Sequence, residues 1–241
     1  MTDTTVTSAS PAPTPDQPVT RQKVWDAPVR LVHWLLVFLV TVSWWTAEEG
    51  EMQWHYWSGL TIVGLLVFRV YWGFAGPETA RFSNFIKGPG AVVGYAGKLF
   101  KRDYRAAFGH NPLGALSVVA ILLALIAQVG LGLFASDTDG LESGPLSPYV
   151  SYEFSKDAGD LHEAAWNILL ILIGLHIAAI VFYLVVKRIN LIGPMITGSR
   201  KAEAVEGSPS GIAPVPLWRF LIGVALAGAV VFLFVWLPTT R

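Results

Sequence analysis

Cysteine is absent from this chain of 241 residues. Its absence excludes disulfides, thiolate zinc sites, cysteine-ligated iron–sulfur clusters and covalently attached c-type haem. Any metal must therefore be held by nitrogen or oxygen ligands. Charged residues are also scarce. They make up 14% of the chain, against 53% for hydrophobic residues, whereas about a quarter of the residues in an ordinary soluble domain are charged.

The hydrophobic residues are concentrated in five runs, at 31–47, 57–76, 114–136, 164–186 and 216–237. Each run is close to the roughly 20 residues that a helix needs to cross the hydrocarbon core of a membrane. Within lipid each backbone polar group must be satisfied inside its own segment, so the runs are interpreted as helices and not strands. The sequence predicts an all-α integral membrane protein. It comprises a four-helix bundle and a fifth, C-terminal transmembrane helix, for which a purely peripheral anchoring role is the alternative.

The polar segments define the predicted domain organisation. Residues 1–22 are rich in Thr, Ser and Pro and have no apolar core of the kind that a signal peptide requires, so we expect a disordered cytoplasmic tail. The bundle is predicted at 23–190, a flexible linker at 191–215 and the last transmembrane helix at 216–241. Residues 77–113 are interpreted as a basic surface loop and 137–163 as an acidic loop or cap.

Charged residues are distributed unevenly between the two sides of the predicted bundle. Lys and Arg precede the first run, lie between the second and third, and follow the fourth. The opposite two loops are acidic, and Lys156 is their only basic residue. By the positive-inside rule, we expect a multi-pass membrane protein whose N-terminus is cytoplasmic and whose C-terminus lies outside.

Histidines are the most informative residues for function, because ionisable side chains within membrane spans are energetically costly. A single histidine of this kind is more often hydrogen-bonded to a neighbouring helix than bound to a metal. His162 and His176, however, are fourteen residues apart on the fourth predicted helix. That spacing is about 40° short of four turns and about 21 Å of rise, so both lie on one side of the helix at different depths.

The depths of the other histidines match these two. His33 lies fifteen residues before Glu48, and His176 lies thirteen residues after Glu163, which places both roughly 20 to 22 Å from the outer acidic ends of their helices. His55 stands, like His162, at the outer end of its helix. Two pairs across the bundle are therefore predicted, His33 with His176 at an inner level and His55 with His162 at an outer level.

Two imidazoles on opposite faces of a flat macrocycle would fill both axial positions of haem iron, which suits electron transfer and not oxygen binding. A bundle core is a common place for such a site, whereas zinc would require three or four ligands at one depth. Arg30 and Arg69, at the inner ends of their helices, are candidate partners of haem propionates, although snorkelling to lipid headgroups explains them equally well. His110 is interpreted as a cap or surface contact at the entry to the third helix, with a role near an inner haem or quinone as the alternative.

The run from Val24 to Trp34, VWDAPVRLVHW, resembles the opening of the bacterial cytochrome b561 family, which includes the cytochrome b subunits of nickel-iron hydrogenases. The similarity continues from His55 to Phe74, through Ala80–Arg81–Phe82 and through GHNPLG at 109–114, and covers roughly residues 22 to 190. It implies a four-helix bundle with two b haems whose ligands, carried over by position, are His33, His55, His162 and His176. The fifth hydrophobic run departs from the family pattern.

The resemblance implies electron exchange between the membrane quinone pool and a redox partner, which we expect to be periplasmic, such as a c-type cytochrome or a hydrogenase. The expected cofactors are two haem b groups and a quinone, and the expected surroundings are membrane lipid, with no nucleic acid partner. A stand-alone quinone oxidoreductase acting on a small molecule such as superoxide is an alternative within the family. A non-haem transporter or scaffold is the alternative from a different class.

Overall fold

The computed structural model describes residues 21–98, 109–136, 142–201 and 211–236. Its helices and strands, in chain order, are β1 (Arg21–Lys23), α1 (Ala27–Glu48), α2 (Met52–Ala75), α3 (Phe82–Phe85), α4 (Pro89–Lys98), α5 (Pro112–Phe134), α6 (Tyr152–Val185), α7 (Ile192–Thr197), β2 (Ser199–Lys201) and α8 (Leu217–Trp236). Five of them, α1, α2, α5, α6 and α8, are long and apolar enough to cross a membrane. The prediction of an all-α membrane protein with five crossings is confirmed.

α2 is the central helix of the five. It packs against α1, α5 and α8, while α5 packs along α6. In its apolar window 56% of the residues are buried, against 6–11% in the other four helices. The apolar side chains that remain exposed on those outer helices, such as Phe38, Leu123 and Phe232, suit a surface in contact with lipid.

Apolar side chains fill the middle of the bundle between α2, α5 and α6. Ile62 and Leu66 of α2 pack there against Leu122 and Leu125 of α5 and Leu169 of α6. Each of these side chains is less than a tenth exposed. This layer lies along the chain between the predicted outer and inner histidine levels.

α5 begins at a capping motif in the sequence Asn111–Pro112. The Asn111 side chain accepts a hydrogen bond of 2.7 Å from the backbone N–H of Gly114, and Pro112 occupies the first turn, where its missing N–H costs nothing. The interpretation of His110 as the cap is therefore wrong, because the neighbouring asparagine takes that role.

α6 begins earlier than the apolar pattern predicts, at Tyr152, well before the run that starts at residue 164. The Ser151 hydroxyl caps it by accepting from the backbone N–H of Phe154 at 3.2 Å. Residues 152–163, predicted to belong to an external loop or cap, are thus an extension of the helix. Hydropathy missed it because this part of the helix lies beyond the apolar stretch.

Segments that precede α1 and follow α6 come together at the inner end of the bundle. β1 pairs antiparallel with β2, with Gln22 opposite Arg200. The Gly198 carbonyl accepts from the backbone N–H groups of Val24 and Trp25 at 2.8 and 3.1 Å, and Gly198 itself has the left-handed φ of +81° that ends α7.

These contacts change the predicted boundaries. Arg21 and Gln22, assigned to the disordered tail at 1–22, belong to β1, while residues 1–20 lie outside the described residues. The segment 191–215, predicted to be a flexible linker, contains α7 and β2. Its first part is therefore a folded cap that packs under the start of α1.

α8 packs closely on α2. Gly223 has no side chain, and a Cβ there would lie 2.9 Å from both Phe68 and Tyr71. Near its start, Arg219 donates a hydrogen bond of 3.3 Å to the carbonyl of Ala75, at the end of α2. The fifth helix is therefore docked on the central helix and is more than a peripheral anchor.

Candidate functional site

His55 of α2 and His162 of α6 face each other at the outer level. Their ring centroids are 6.1 Å apart and the rings are nearly perpendicular, at 86°. With metal–nitrogen bonds of about 2 Å, two imidazoles on opposite sides of one metal ion have ring centres roughly 6 Å apart. The separation of this pair therefore suits one metal ion between them.

Both outer histidines are oriented by backbone carbonyl groups. His55 Nδ1 lies 2.8 Å from the carbonyl oxygen of Ser43 in α1, and His162 Nδ1 lies 2.8 Å from that of Gln128 in α5. Because a carbonyl oxygen only accepts, each Nδ1 must carry the proton, which leaves the Nε2 lone pair for a metal. Such an outer hydrogen bond is the usual support of a metal-ligating histidine.

The Gln128 side chain is consistent with this tautomer. Its amide nitrogen lies 3.2 Å from His162 Nε2, where it donates to the lone pair. The Oε1 atom of the same amide is buried without a hydrogen-bond partner among the described residues. Nε2 of His162 is thus an unprotonated acceptor, and the Gln128 amide occupies its lone pair where a metal would otherwise bind.

A cavity of about 510 Å³ surrounds the outer pair, between α1, α2, α5 and α6. That volume lies within the roughly 300–1,000 Å³ that is usual for cofactor pockets. Gly59 of α2 lines the cavity and has open space where a Cβ would stand. At the outer side the lining is charged, through Glu48, Glu142, Lys156, Asp160 and Glu163.

Gly132 of α5 allows the close approach of His162. A Cβ at this position would lie 2.9 Å from Cε1 and 3.1 Å from Nδ1 of the imidazole. The ring can therefore hold its hydrogen bond to the Gln128 carbonyl only because Gly132 has no side chain. The sequence analysis missed both Gln128 and Gly132. They lie on α5, which carries no histidine, and no pattern in the sequence marks them.

His33 of α1 and His176 of α6 come together at the inner level. Each lies within electrostatic range of the other. His176 Nδ1 is 3.3 Å from the Ser117 hydroxyl of α5, while His33 Nδ1 is buried and has no hydrogen-bond partner in the described part of the chain. The structure therefore places the rings of the outer pair in contact and the inner pair within electrostatic range.

The two arginines predicted to bind a cofactor differ. Arg69 of α2 is only 6% exposed, lies 5.2 Å above the ring of Phe82, and has an NH1 group without an acceptor among the described residues. Arg30, in contrast, donates to the carbonyl oxygens of Ile196 and Asp26. Those bonds tie the start of α1 to α7, and the cofactor contact of Arg30 stays a prediction.

His110 is not the surface contact predicted from its position. Its ring packs between those of Trp25 and Phe85, with centroids 4.6 Å away on each side, and its Nδ1 is buried. Burial, and then the charges of Arg69 and His176, lower its pKa to about 3, so the ring is neutral.

The donor set fits haem. Among the residues that the structure describes, no three His, Asp or Glu side chains converge on one point, so each histidine pair suits a metal whose remaining positions are filled by a macrocycle. A buried arginine without an acceptor is a suitable partner for a carboxylate of such a group. A helical membrane bundle with paired imidazoles facing inward belongs to the class of membrane b-type cytochromes.

Comparison with known proteins supports this class and defines the family. Residues 24–198 match the family model of prokaryotic cytochrome b561, and the chain belongs to that family, as the resemblance predicted. A probable Ni/Fe-hydrogenase B-type cytochrome subunit of Rhizobium leguminosarum bv. viciae is 24% identical over 216 residues, which cover 73% of this chain and 87% of the relative. No solved structure matches significantly. The chain is thus a multi-pass membrane cytochrome that binds haem b and acts in electron transfer.

Proposed function

We propose that the protein relays electrons across the membrane through two haem b groups. His55 and His162 would ligate the outer haem, and His33 and His176 the inner one. The proposal is carried by the outer pair, whose rings are 6.1 Å apart and whose Nδ1 atoms are both held by backbone carbonyls. When bound, each haem supplies a one-electron redox couple with both axial positions occupied.

The vertical spacing of the pairs supports a relay. His162 and His176 are separated by fourteen residues of continuous helix α6, which is about 21 Å of rise. The apolar layer of α2, α5 and α6 lies between the two levels along the chain and excludes water from the path. No conformational change is needed for such a relay, because both pairs are fixed on packed helices.

Each end of the proposed relay requires its own redox partner. A lipid-soluble quinone would exchange electrons at the inner level, on the side of the basic segments that precede α1 and follow α2. At the outer level we propose a periplasmic redox protein, either a hydrogenase, as the name of the Rhizobium relative suggests, or a c-type cytochrome. Membership of the prokaryotic cytochrome b561 family supports the bacterial inner membrane. The basic and acidic segments support an N-terminus in the cytoplasm and a C-terminus in the periplasm.

Measurement of haem content tests the two-haem proposal. The pyridine-haemochrome assay should give two haems per wild-type chain, and one in each of the variants His33→Ala, His55→Ala, His162→Ala and His176→Ala. Arg219→Gln is the control and should retain both haems, because Arg219 bonds the Ala75 carbonyl at the end of α2 and belongs to neither pair. One haem in the wild type, or two haems in any of the four histidine variants, would refute the assigned pairs.

A further inference from the structure

Two buried nitrogen groups at the inner level have no acceptor in the part of the chain that the structure describes: Arg69 NH1 and His110 Nδ1. They come from different elements, α2 and the segment that enters α5, and lie within electrostatic range of each other. Buried polar groups without partners are uncommon in folded proteins and indicate a group that binds to them. A ligand with an acceptor oxygen would satisfy both.

Aromatic rings fix these two side chains in place. The Arg69 guanidinium lies over Phe82 at 5.2 Å, and the imidazole of His110 is held between Trp25 and Phe85. A buried cation in such apolar surroundings is costly unless an anion accompanies it. The surroundings of Arg69 thus favour an anionic ligand over a neutral one.

Asp26 does not satisfy this requirement, although it lies within electrostatic range of Arg69. Its Oδ2 accepts from Trp72 Nε1 at 2.7 Å and its Oδ1 accepts from the backbone N–H of Val29 at 3.3 Å. Burial also raises the pKa of Asp26, which weakens it as a counter-ion. Its carboxylate is committed to the start of α1, and the two nitrogen groups still lack an acceptor.

We propose that Arg69 and His110 together bind one carboxylate at the inner level, a propionate of the inner haem. The inference rests on the proposed function and extends it to His110, which is not an iron ligand. His110 lies within electrostatic range of both Arg69 and the proposed inner ligand His176. Arg69 supplies the positive charge and His110 a directed N–H donor, a combination that gives strong, charge-assisted hydrogen bonds to carboxylate.

The proposed pair has a measurable electrostatic consequence. A carboxylate near the iron that has no partner favours the oxidised, more positively charged haem. Hydrogen bonds from Arg69 and His110 would offset that effect. Two variants remove one donor each: His110→Phe keeps an aromatic ring between Trp25 and Phe85, and Arg69→Met keeps a long apolar stem. Arg219→Gln is the matched control, because Arg219 lies at the same end of the membrane but bonds Ala75.

Spectroelectrochemical titration of the purified holoprotein tests the inference. At a fixed potential, each test variant should raise the ratio of oxidised to reduced inner haem about tenfold or more, which is a shift of about 59 mV for a one-electron couple. The outer haem and the Arg219→Gln variant should titrate as in the wild type. The double variant should shift less than the sum of the two single shifts, since both donors serve one carboxylate.

An unchanged inner potential in His110→Phe and Arg69→Met, with both haems bound, would overturn the inference. If the KM for a quinol analogue rose while the potential stayed constant, the pair would bind the quinone and not the propionate, and the inference would again be wrong. Should Arg69→Met fail to assemble, Arg69→Gln and His110→Phe provide the same readout, because each removes one donor of the pair. Failure of the proposed function is distinct, because the wild type would then contain fewer than two haems.

Discussion

The outer histidines are positioned by groups that are not themselves ligands. His55 and His162 are each held by a backbone carbonyl, from Ser43 and Gln128 respectively, and the carbonyls belong to helices other than those that carry the histidines. Side-chain substitution cannot delete a backbone acceptor. The orientation of the pair therefore depends on how α1 and α5 pack against α2 and α6.

Gly132 gives a test of that dependence. Gly132→Ala should reduce occupancy of the outer haem several-fold, because the new Cβ would stand 2.9 Å from the His162 ring and push it from the Gln128 carbonyl. Gly130→Ala, two residues earlier on α5 and facing open space, is the control. It should retain both haems, and alanine there should favour the helix slightly. Equal haem content in the two variants, measured by the haemochrome assay, would show that Gly132 does not constrain the ring.

The sequence was sufficient to find the four paired histidines but not their supports. Helical rise converts sequence spacing into depth, so residues on different helices can be matched by level. Helical rise does not reveal which side chains meet across the bundle. The contacts of Gln128 and Gly132 with His162 therefore could not be predicted from the sequence. The position of His110 next to a helix start did not specify its neighbours for the same reason, and its ring packs between two aromatic rings where a surface contact was predicted.

At the scale of elements, α8 packs against the central helix α2 without lining the outer cavity. None of its residues borders the cavity around His55 and His162, and its contacts with α2 run through Gly223, Phe220 and Arg219. Hydropathy was enough to predict a fifth span. The docking of that span depends on glycine positions whose partners lie about 150 residues away along the chain, which composition does not encode.

Gly223→Leu should lower the thermal stability of the protein in detergent, because the added side chain would overlap Phe68 and Tyr71. Overpacking of this kind typically costs about 1–3 kcal/mol. Both haems should remain bound, since α8 does not line the outer cavity. Gly228→Leu, at a position with open space, should melt like the wild type. Equal melting temperatures for the two variants would indicate that α8 is not docked on α2 as described.

For the whole molecule, the asymmetry of charge predicts the orientation in the membrane. Reporter fusions at Lys98 and at Glu142 should report opposite sides, with Lys98 in the cytoplasm and Glu142 in the periplasm, because basic segments are retained on the inside. The two sites flank α5, which is long enough for one crossing. Reporters that agree at both positions would refute the assigned order of crossings.

The relay itself is a property of the whole molecule, because it requires both histidine levels and a partner at each end. In the proposed relay, the inner pair stands between the quinone site and the outer pair. Electrons from a quinol would then reach the outer haem only through the inner level. Removal of one inner ligand should remove the inner haem. The outer cavity would keep all of its lining residues.

The most direct measurement compares reduction by a quinol analogue with reduction by dithionite in the wild type and in His33→Ala or His176→Ala. In the wild type, the quinol should reduce both haems. In either variant, the outer haem should remain oxidised with the quinol and become reduced with dithionite, which does not need the inner level. Normal reduction of the outer haem by the quinol in these variants would contradict the relay and place the quinone site at the outer level.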